Sequence, residues 1–579
     1  MPQRWELPSI AWPQRLRPSY WDGVALPLVI GALMLIAWAS RQMNVPYQPG
    51  EALPISLDPL YLPEYGLRTV LRMALALICS LAFSLVYAAL AAKSKRAERI
   101  LLPVLDVLQS VPILGFLSIT VTGFVALFPG RLLGYECAAI FAIFTSQAWN
   151  MTFSLYQSFI GVPHDLREAA RMYHLSPWQS FWQLEVPFAL PHLVWNMMIS
   201  VSGGWFFVVA SEAISVSGKT VLLPGIGSYI ALAIDRRDLD AVFYAIFAML
   251  VLILLYDQLL FRPLLAWVQR FKVEEIGTDE IEPPWFLVML QRARLFHLLA
   301  LVADEAGALA GRLRRLAPPR ARVPAPPSPW RGALFDWAWN GVLILGVAAG
   351  LAAIYDVVHN EVGWHEIVHV VLLGCITLAR VVVLIVLAAL FWVPVGVWIG
   401  LRPRLARLVQ PWIQFLAAFP ANLFFPLAVS AIVEFKLDPE IWLSPLMILG
   451  TQWYILFNVI AGTLALPTDY QLVAGNLGVG GWLWWRRLVL PGIFPALVTG
   501  AVTAAGGSWN ASIVAEIARW GNTTLTATGI GAYIAIETEK GDFPRLALGI
   551  TVLCLFVLVF NRLIWRRLYR LAEERLRLD

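Results

Sequence analysis

The sequence predicts an all-α integral membrane protein with about twelve transmembrane helices, arranged as two parallel six-helix repeats. Two observations predict this fold: long apolar runs, and a match of the chain to itself. Apolar residues make up 59% of the 579 residues and charged residues only 14%, with a mean hydropathy of +0.69. Soluble domains average about 25% charged residues. This composition excludes a cytosolic enzyme, a secreted disulfide scaffold and a disordered regulator.

Twelve apolar runs are long enough to cross a bilayer, whose core of about 30 Å needs roughly 20 helical residues. The first six lie near 24–40, 70–92, 101–128, 136–160, 191–213 and 240–262. The second six lie near 333–355, 378–400, 408–433, 441–462, 495–516 and 545–565. The runs are continuous, whereas the strands of a membrane barrel alternate apolar and polar residues in segments of about ten. We therefore predict helices.

Cationic residues predict the orientation, because they concentrate in cytoplasmic loops. They stand before the first run and after the second, eighth and last: Arg4, Arg15, Arg17, Lys93, Lys95, Arg96, Arg99, Arg402, Arg404, Arg407, Arg562, Arg566, Arg567 and Arg570. The loops predicted on the other side carry Glu51, Asp58, Glu64, Asp356, Glu361 and Glu366. We expect both termini in the cytoplasm.

The two halves of the chain match at an offset of 308 residues and then of 304. At 308 the matches include Thr69 with Thr377, Arg72 with Arg380, Pro103 with Pro411 and Pro112 with Pro420. At 304 they include Trp149 with Trp453, Pro163 with Pro467, Pro191 with Pro495, Gly203 with Gly507, Trp205 with Trp509 and Glu212 with Glu516. Each half starts on the same side, so we expect a pseudo-two-fold axis along the membrane normal, with the substrate path beside it.

Three segments follow from the repeat: a first repeat at 1–266, a connecting segment at 267–332 and a second repeat at 333–579. The connecting segment begins with an acidic stretch, continues with an arginine-bearing helical pattern and ends in a Pro-rich piece. Two roles are open for it. It is a cytoplasmic tether between the two repeats, and its helical part can also lie against the headgroups of membrane lipids.

Two predicted cytoplasmic loops carry motifs at matching positions. The first reads Glu168-Ala169-Ala170, then His174, then Leu184, Val186 and Pro187. The second reads Leu472-Val473-Ala474, then Gly478, then Leu488, Leu490 and Pro491. Both resemble the EAA loop of binding-protein-dependent ABC importer permeases, in which Glu-Ala-Ala is followed by three residues, Gly, nine residues, Ile, any residue, Leu and Pro.

The resemblance implies that each loop, at 163–187 and at 467–491, contains a short coupling helix that docks on a cytoplasmic ATPase. His174 stands where the family has Gly, and Leu472 stands where it has Glu. Each half thus keeps what the other has lost. We expect asymmetric docking, with Glu168 giving a polar contact on one side only.

A second pair of motifs narrows the resemblance. Span 5 of each half ends in a glutamate, Glu212 or Glu516, and the loop beyond it contains Gly-Ile-Gly, any residue and Tyr, at 225–229 and 529–533. Together with Thr69…Arg72 and its counterpart, this is similar to the nitrate, sulfonate, taurine and bicarbonate branch of the family. There the permease is usually a separate subunit that works as a dimer. Here one chain would supply both copies.

The branch implies inward transport of a small anion or organic anion by alternating access across a bacterial inner membrane. It implies two cytoplasmic ABC ATPase subunits, which use ATP and Mg, and a periplasmic substrate-binding protein. For the chain itself we expect no enzyme activity, no bound cofactor or metal and no nucleic acid. The alternative that needs no ATP is a secondary transporter driven by an ion gradient. This alternative does not explain why the loop motif occurs twice.

Ionisable residues in a span cost about 2.5–3.5 kcal/mol on insertion scales, so they invite a functional reading. Glu212 and Glu516 stand at the outer ends of their spans, where they line a gate, cap a loop or pair with Arg236 or Arg519. Arg72 and its counterpart Arg380 attract an anion into an outer vestibule or snorkel to the interface. The sequence leaves these roles open.

The fifth spans supply uncharged donors for an oxyanion. Small residues there let helices approach closely, which is the alternative reading of the same pattern. The candidate path residues in these spans are Ser202 and Trp205 in the first half and Ser508, Trp509 and Asn510 in the second. Weaker candidates are Gln147, Asn150 and Asn422.

Two further sequence patterns are typical of proteins with other functions. His365-Glu366-Ile367-Val368-His369 fits the zinc metalloprotease motif, whose two histidines lie one helical turn apart. It lacks a clear third ligand, and the four scattered cysteines form no close pair. Gly218-Lys219-Thr220 resembles the end of a phosphate-binding loop, but Ala213 stands at the first Gly position. ATP hydrolysis is therefore expected from partner subunits.

Overall fold

A computed structural model describes residues 41–47, 55–216, 219–268 and 362–575, with isolated positions at 27–40, 53, 271, 288 and 341–356. The predicted spans near 24–40 and 333–355 and the connecting segment at 267–332 lie wholly or largely outside the described residues. Two units are distinguished: Met1–Ser40, Asp257–Arg270 and Glu274–Glu361 form one, and Arg41–Tyr256, Phe271–Val273 and Val362–Asp579 form the other. The second unit holds the core of both repeats.

The first repeat consists of helices and one hairpin. Its elements are α1 Leu62–Lys93, α2 Lys95–Ser110, α3 Ile113–Leu127, α4 Leu133–Ile160, α5 His164–Met172, α6 Pro177–Ser180, α7 Val186–Glu212, β1 Ala213–Val216, β2 Lys219–Leu222, α8 Ile226–Arg236, α9 Leu239–Tyr256 and α10 Arg262–Val268. A π-helical turn at Phe181–Glu185 joins α6 to α7, and another at Asp257–Phe261 joins α9 to α10.

The second repeat follows the same order. Its elements are α11 Trp364–Gly400, α12 Pro403–Ala418, α13 Phe425–Glu434, α14 Pro439–Trp442, α15 Gln452–Leu464, α16 Thr468–Asn476, α17 Gly481–Trp484, α18 Leu490–Ala515, β3 Ile517–Trp520, β4 Thr523–Thr526, α19 Ile530–Lys540, α20 Phe543–Phe560 and α21 Arg566–Arg575. A π-helical turn at Trp485–Val489 leads into α18, as its counterpart leads into α7.

Six helical stretches in the described residues are long and apolar enough to cross a membrane, and three bent pairs raise the number to nine. The straight ones are Pro59–Lys93, Pro177–Glu212, Leu239–Val268, Trp364–Gly400, Gly481–Ala515 and Phe543–Ala572. Helix α4 is also 28 residues long, but it is richer in polar side chains. The total of twelve therefore stays a prediction.

The predicted spans near 101–128, 408–433 and 441–462 are each bent in the structure. The bend is 93° between α2 and α3, 78° between α12 and the helical segment from Ala421, and 46° before α15. Proline explains the first two bends, since it disfavours helical geometry in the residue before it. Val111 and Phe419 are extended and precede Pro112 and Pro420.

Helix α4 tolerates its polar residues because it lies between α1 and α7. Small buried residues such as Ala138 and Ala142 let the helices approach closely. Hydroxyl groups bond across the contact: Ser84 donates to the carbonyl of Ala148 at 3.1 Å, and Thr152 donates to Ser84 at 2.9 Å. In the second repeat, α15 lies between α11 and α18 in the same way.

A two-stranded antiparallel hairpin follows the long helix of span 5 in each repeat. In β1–β2, Ala213 pairs with Leu222, and in β3–β4, Ile517 pairs with Thr526. The hairpin reverses the chain, so that the next helix, α8 or α19, begins beside the end of span 5. This reversal brings the Gly-Ile-Gly motif onto the glutamate that closes the span.

Candidate translocation path and coupling loops

The repeat seen in the sequence is also present in the structure. Helix α5 at His164–Met172 corresponds to α16 at Thr468–Asn476 at the 304-residue offset, residue for residue. The π-helical turns at Phe181–Glu185 and Trp485–Val489 obey the same offset. The two halves therefore share loop geometry as well as sequence motifs.

The predicted coupling loops contain short helices that expose one face. Prolines precede both, Pro163 before α5 and Pro467 before α16. The alanines of the motif lie toward the protein, since Ala170 and Ala474 are both 8% exposed. Glu168 is exposed and lies 3.3 Å from His164. Its counterpart Leu472 is 65% exposed. The exposed side chain at the first motif position is thus charged in the first loop and apolar in the second.

The residue that follows each coupling helix explains why the family pattern has a glycine at this position. His174 and Gly478 end their helices with positive φ angles of 51° and 65°. In each loop the next residue donates its N–H back to the motif alanine, Leu175 to Ala170 at 3.0 Å and Val479 to Ala474 at 2.9 Å. This left-handed ending favours glycine, and a side chain costs about 1–2 kcal/mol there. His174 bears that cost.

Pro187 and Pro491 stand in the first turn of α7 and α18. The chain is already helical before each proline, because the π-helical turns run directly into α7 and α18. A proline has no N–H to donate, so one helical hydrogen bond is missing at this position. Each loop nevertheless passes into its long span as one helical stretch, Pro177–Glu212 or Gly481–Ala515.

A buried ionic network closes the end of the first repeat that lies opposite its predicted coupling loop. Glu212 accepts hydrogen bonds from the hydroxyl of Thr69 at 2.7 Å, from the Arg72 guanidinium at 2.7 Å and from the N–H of Gly227 at 2.6 Å. The same guanidinium binds both oxygens of Glu136, at 2.5 and 2.7 Å. Arg72, Glu136 and Glu212 are completely buried. The network joins α1, α4 and α7.

The second repeat builds the same network with more exposed side chains. Glu516 accepts from Thr377 at 2.7 Å, from the N–H of Gly531 at 2.7 Å and from Arg380 at 3.4 Å. Arg380 also pairs with Glu440, the counterpart of Glu136. The side chains of Arg380 and Glu440 are 14% and 45% exposed. The two networks therefore share the same contacts but differ in how far their side chains are exposed.

These contacts correct the pairing considered from the sequence. Glu212 and Glu516 pair with Arg72 and Arg380, not with Arg236 or Arg519 as one reading had it. Arg519 instead binds Glu539 on α19. The hairpin explains why the residues that follow each glutamate in sequence do not pair with it. The chain leaves the end of span 5 along one strand and returns to the glutamate only at the Gly-Ile-Gly motif. Glu212 and Glu516 accept N–H groups from the loop beyond their spans, in agreement with the loop-capping role considered from the sequence. That they line the path stays a prediction.

The glycines of the Gly-Ile-Gly motif make room for the carboxylates. A Cβ atom added at Gly225 would lie 2.3 Å from the carboxyl carbon of Glu212, and one added at Gly529 would lie 2.3 Å from that of Glu516. Such contacts do not occur. Sequence reasoning singled out the glycines and glutamates but missed Glu136 and Glu440, although these two also match at the 304-residue offset.

The tyrosines of the motif make hydrogen bonds at the same ends of the two repeats. The Tyr229 hydroxyl donates to the carbonyl of Leu57 at 2.8 Å, and the Tyr533 hydroxyl donates to Glu366 at 2.8 Å. Burial raises the pKa of Tyr229 to about 12. Burial and the hydrogen bond to Glu366 raise the pKa of Tyr533 as well. Both phenols therefore remain protonated donors at neutral pH.

The zinc-protease pattern does not assemble as a metal centre. Glu366 is engaged by Tyr533 and lies 3.8 Å from Arg545, while His365 and His369 are exposed. No group of three His, Cys, Asp or Glu suited to a metal ion occurs within the described part of the chain. Of the phosphate-loop pattern, Gly218 lies outside the described residues and Lys219–Thr220 lie in strand β2.

A cavity of about 90 Å³ lies between the two repeats. It is lined from α7 by Ser202, Gly203, Phe206 and Phe207, from α18 by Gly507, Asn510 and Ala511, and from the bent spans by Ala417, Phe419, Ala421, Leu446, Met447, Gly450, Thr451 and Tyr454. No lining residue is charged. The polar groups are three hydroxyls and one amide, set among aromatic rings.

The structure divides the candidate path residues into two groups. Ser202 and Asn510 line the cavity, and the Asn510 amide oxygen also accepts the N–H of Ile113 from the other repeat at 2.8 Å. Trp205, Ser508 and Trp509 are buried in the helix packing behind it. The buried Trp205 ring meets Tyr256 at 5.4 Å between centroids.

Sequence reasoning missed Thr451 and Tyr454 among the lining residues. They are the counterparts, at the 304-residue offset, of Gln147 and Asn150, which were weaker candidates. A systematic transfer of polar candidates between repeats would have found them. Asn422, the third weaker candidate, donates to the carbonyl of Phe206 at 3.2 Å and so supports a lining residue.

Known permeases resemble parts of this chain. It is 28% identical over 178 residues to the bicarbonate transport system permease protein CmpB of Synechococcus elongatus, which is 31% of this chain and 61% of that protein. It is 27% identical over 188 residues to the nitrate import permease protein NrtB of Leptolyngbya laminosa, 32% of this chain and 64% of that protein. The matches thus span about three-fifths of these relatives.

A third relative is the taurine transport system permease protein TauC of Escherichia coli, 25% identical over 177 residues, 30% of this chain and 62% of that protein. The family described as binding-protein-dependent transport system inner membrane component matches twice, at residues 80–262 and 392–578. These two segments cover more than half of the chain and coincide with the two repeats. The chain belongs to this family of ABC transporter permeases, with two copies of the family domain fused in one polypeptide.

Proposed function

We propose that this chain forms the whole translocation path of an ATP-driven importer, each repeat serving as one of the two permease halves. The observation that carries the proposal is the pair of coupling loops, equal in geometry and spacing, each with a buried alanine and an exposed outer face. A secondary transporter would have no use for two such docking helices. The proposal includes the inner-membrane location with cytoplasmic termini and loops.

The mechanism is alternating access driven from the loops. Two ATPase subunits bind at 163–187 and 467–491 and move together when ATP and Mg occupy them. Because each loop continues into its long span as one helical stretch, the displacement passes into α7 and α18. These two helices carry opposite walls of the central cavity, so their movement opens the cavity to one side of the membrane at a time.

The cargo we propose is a small anion or organic anion delivered by a periplasmic binding protein. The cavity supports this class, because Ser202, Thr451, Tyr454 and Asn510 offer hydrogen-bond donors without a fixed positive charge. Neutral donors stabilise an oxyanion yet allow its release, whereas a full charge in a low dielectric would trap it. Relatives whose names specify bicarbonate, nitrate and taurine support the same class.

The test is reconstitution of the chain with its ATPases in proteoliposomes. We expect ATP hydrolysis to rise when cargo and binding protein are present and to fall at least fivefold with Glu168→Ala. Leu472→Ala should weaken the same coupling through the other loop. Glu434→Ala, a matched change in an exposed glutamate away from both loops, should leave it unchanged. Uptake by the chain alone, without ATP, would refute the proposal in favour of a secondary transporter.

A further inference from the structure

A polar pocket of about 270 Å³ lies behind the first coupling helix, apart from the central cavity. Its lining residues are Ala92, Lys93, Phe159, Arg167, Ala170, Arg171, Leu175, Ser180 and Glu185. Lys93 ends α1, the two arginines stand on α5, and Glu185 ends the π-helical turn before α7. Three cationic groups and one carboxylate thus converge on one space, with a net charge of +2.

The internal contacts of the pocket leave much of this charge available. Lys93 is held by Glu185 at 3.4 Å and lies over the Phe181 ring at 4.4 Å. Arg167 donates to the backbone carbonyl of Phe159 at 2.8 Å, which orients its guanidinium but does not neutralise it. Within the part of the chain that the structure describes, the Arg171 guanidinium makes no hydrogen bond or ion pair. The pocket therefore presents an oriented and an unengaged guanidinium together.

The second repeat shows that these charges are not needed for the fold. The counterparts of Lys93, Arg167, Arg171 and Glu185 are Leu401, Gln471, Gly475 and Val489. The helix and the π-helical turn that carry them are nevertheless the same in length and position in both repeats. All four charges are present in one repeat and absent from the other, so folding does not explain them.

We propose that this pocket binds a small soluble molecule through its phosphate or carboxylate group. The planar forks of Arg167 and Arg171 match the paired oxygens of such a group, and Lys93 adds a third charge. The volume lies just below the range of about 300–1,000 Å³ for ligand pockets, which limits the ligand to a small molecule. That the ligand comes from the cytoplasm rests on the orientation in the proposed function. The binding itself does not depend on that orientation.

The test uses the purified full chain in nanodiscs of phosphatidylcholine, titrated calorimetrically with inorganic phosphate at constant ionic strength. We expect saturable binding that Arg171→Gln weakens at least tenfold without a change in melting temperature, since the Arg171 guanidinium has no described hydrogen bond or ion pair to lose. Arg486→Gln is the control, because Arg486 is an exposed arginine on the π-helical turn of the other repeat, near the counterpart loop. It should leave the affinity unchanged.

Three results would overturn the proposal. They are the absence of saturable binding, an equal loss in Arg171→Gln and Arg486→Gln, and a loss of phosphate binding when phosphatidylglycerol replaces part of the lipid. The last result would assign the pocket to a lipid headgroup instead of a soluble molecule. No ATPase or transport is involved, so failure here leaves the proposed permease function intact, and failure of transport leaves the pocket intact.

Discussion

Substitution of Arg72 by Met should destabilise the chain far more than the same substitution of its counterpart Arg380. Arg72→Met leaves Glu136 and Glu212 facing each other without a cation, and both are completely buried. Breaking a buried pair in this way costs about 3–5 kcal/mol. Arg380→Met removes the cation from the buried Glu516 as Arg72→Met removes it from Glu212. Glu440, however, is 45% exposed and can be hydrated, unlike Glu136, so its part of the cost falls toward the ~0–1 kcal/mol of surface pairs.

The expected difference between the two variants is therefore about 2–5 kcal/mol. Unfolding in sodium dodecyl sulfate, followed by the fluorescence of the 26 tryptophans, measures it within one protein. A second variant, Arg72→Met with Glu136→Gln, should recover part of the loss, because one unpaired charge is removed. Equal losses for Arg72→Met and Arg380→Met would refute the argument that burial decides the strength of these networks.

Three further predictions follow from single contacts. His174→Gly should stabilise the chain by about 1–2 kcal/mol in the same unfolding assay, because glycine adopts the left-handed conformation without strain, and Gly478→His should cost a similar amount. Gly225→Ala should destabilise by several kcal/mol by displacing a buried carboxylate, whereas Gly475→Ala, which has open space around it, should not. Asn510→Ala should raise the KM for uptake about tenfold, since one hydrogen bond in a dry cavity contributes roughly 1.4 kcal/mol. Unchanged uptake by this last variant would remove Asn510 from the path.

The repeat was the most informative feature of the sequence. Proline, glycine, tryptophan and glutamate recur at fixed offsets, and the structure gives matching elements at those offsets. The coupling loops were found for the same reason, because their spacing is local and occurs twice. Even the irregular position of His174 proved meaningful, since the structure shows the positive φ angle that makes glycine the family residue there.

Contacts between distant residues were harder to predict. Glu212 pairs with Arg72, 140 residues away, and no local pattern records such a contact. Hydropathy averaged over a long run also conceals a break, as at Pro112 and Pro420. In a helix covered by protein on several sides, apolar periodicity does not reveal which face borders a cavity. Trp205 and Ser202 were therefore predicted together, although only Ser202 lines it.

The measurement that most directly tests the central claim is the sidedness of the two coupling loops. Single cysteines at Glu168 and Leu472, in a chain whose four native cysteines are replaced by serine, can be labelled with a membrane-impermeant thiol reagent. If one chain forms a complete permease from two parallel repeats, both positions will react in inside-out vesicles and neither in right-side-out vesicles. Labelling of the two positions from opposite sides would contradict this account.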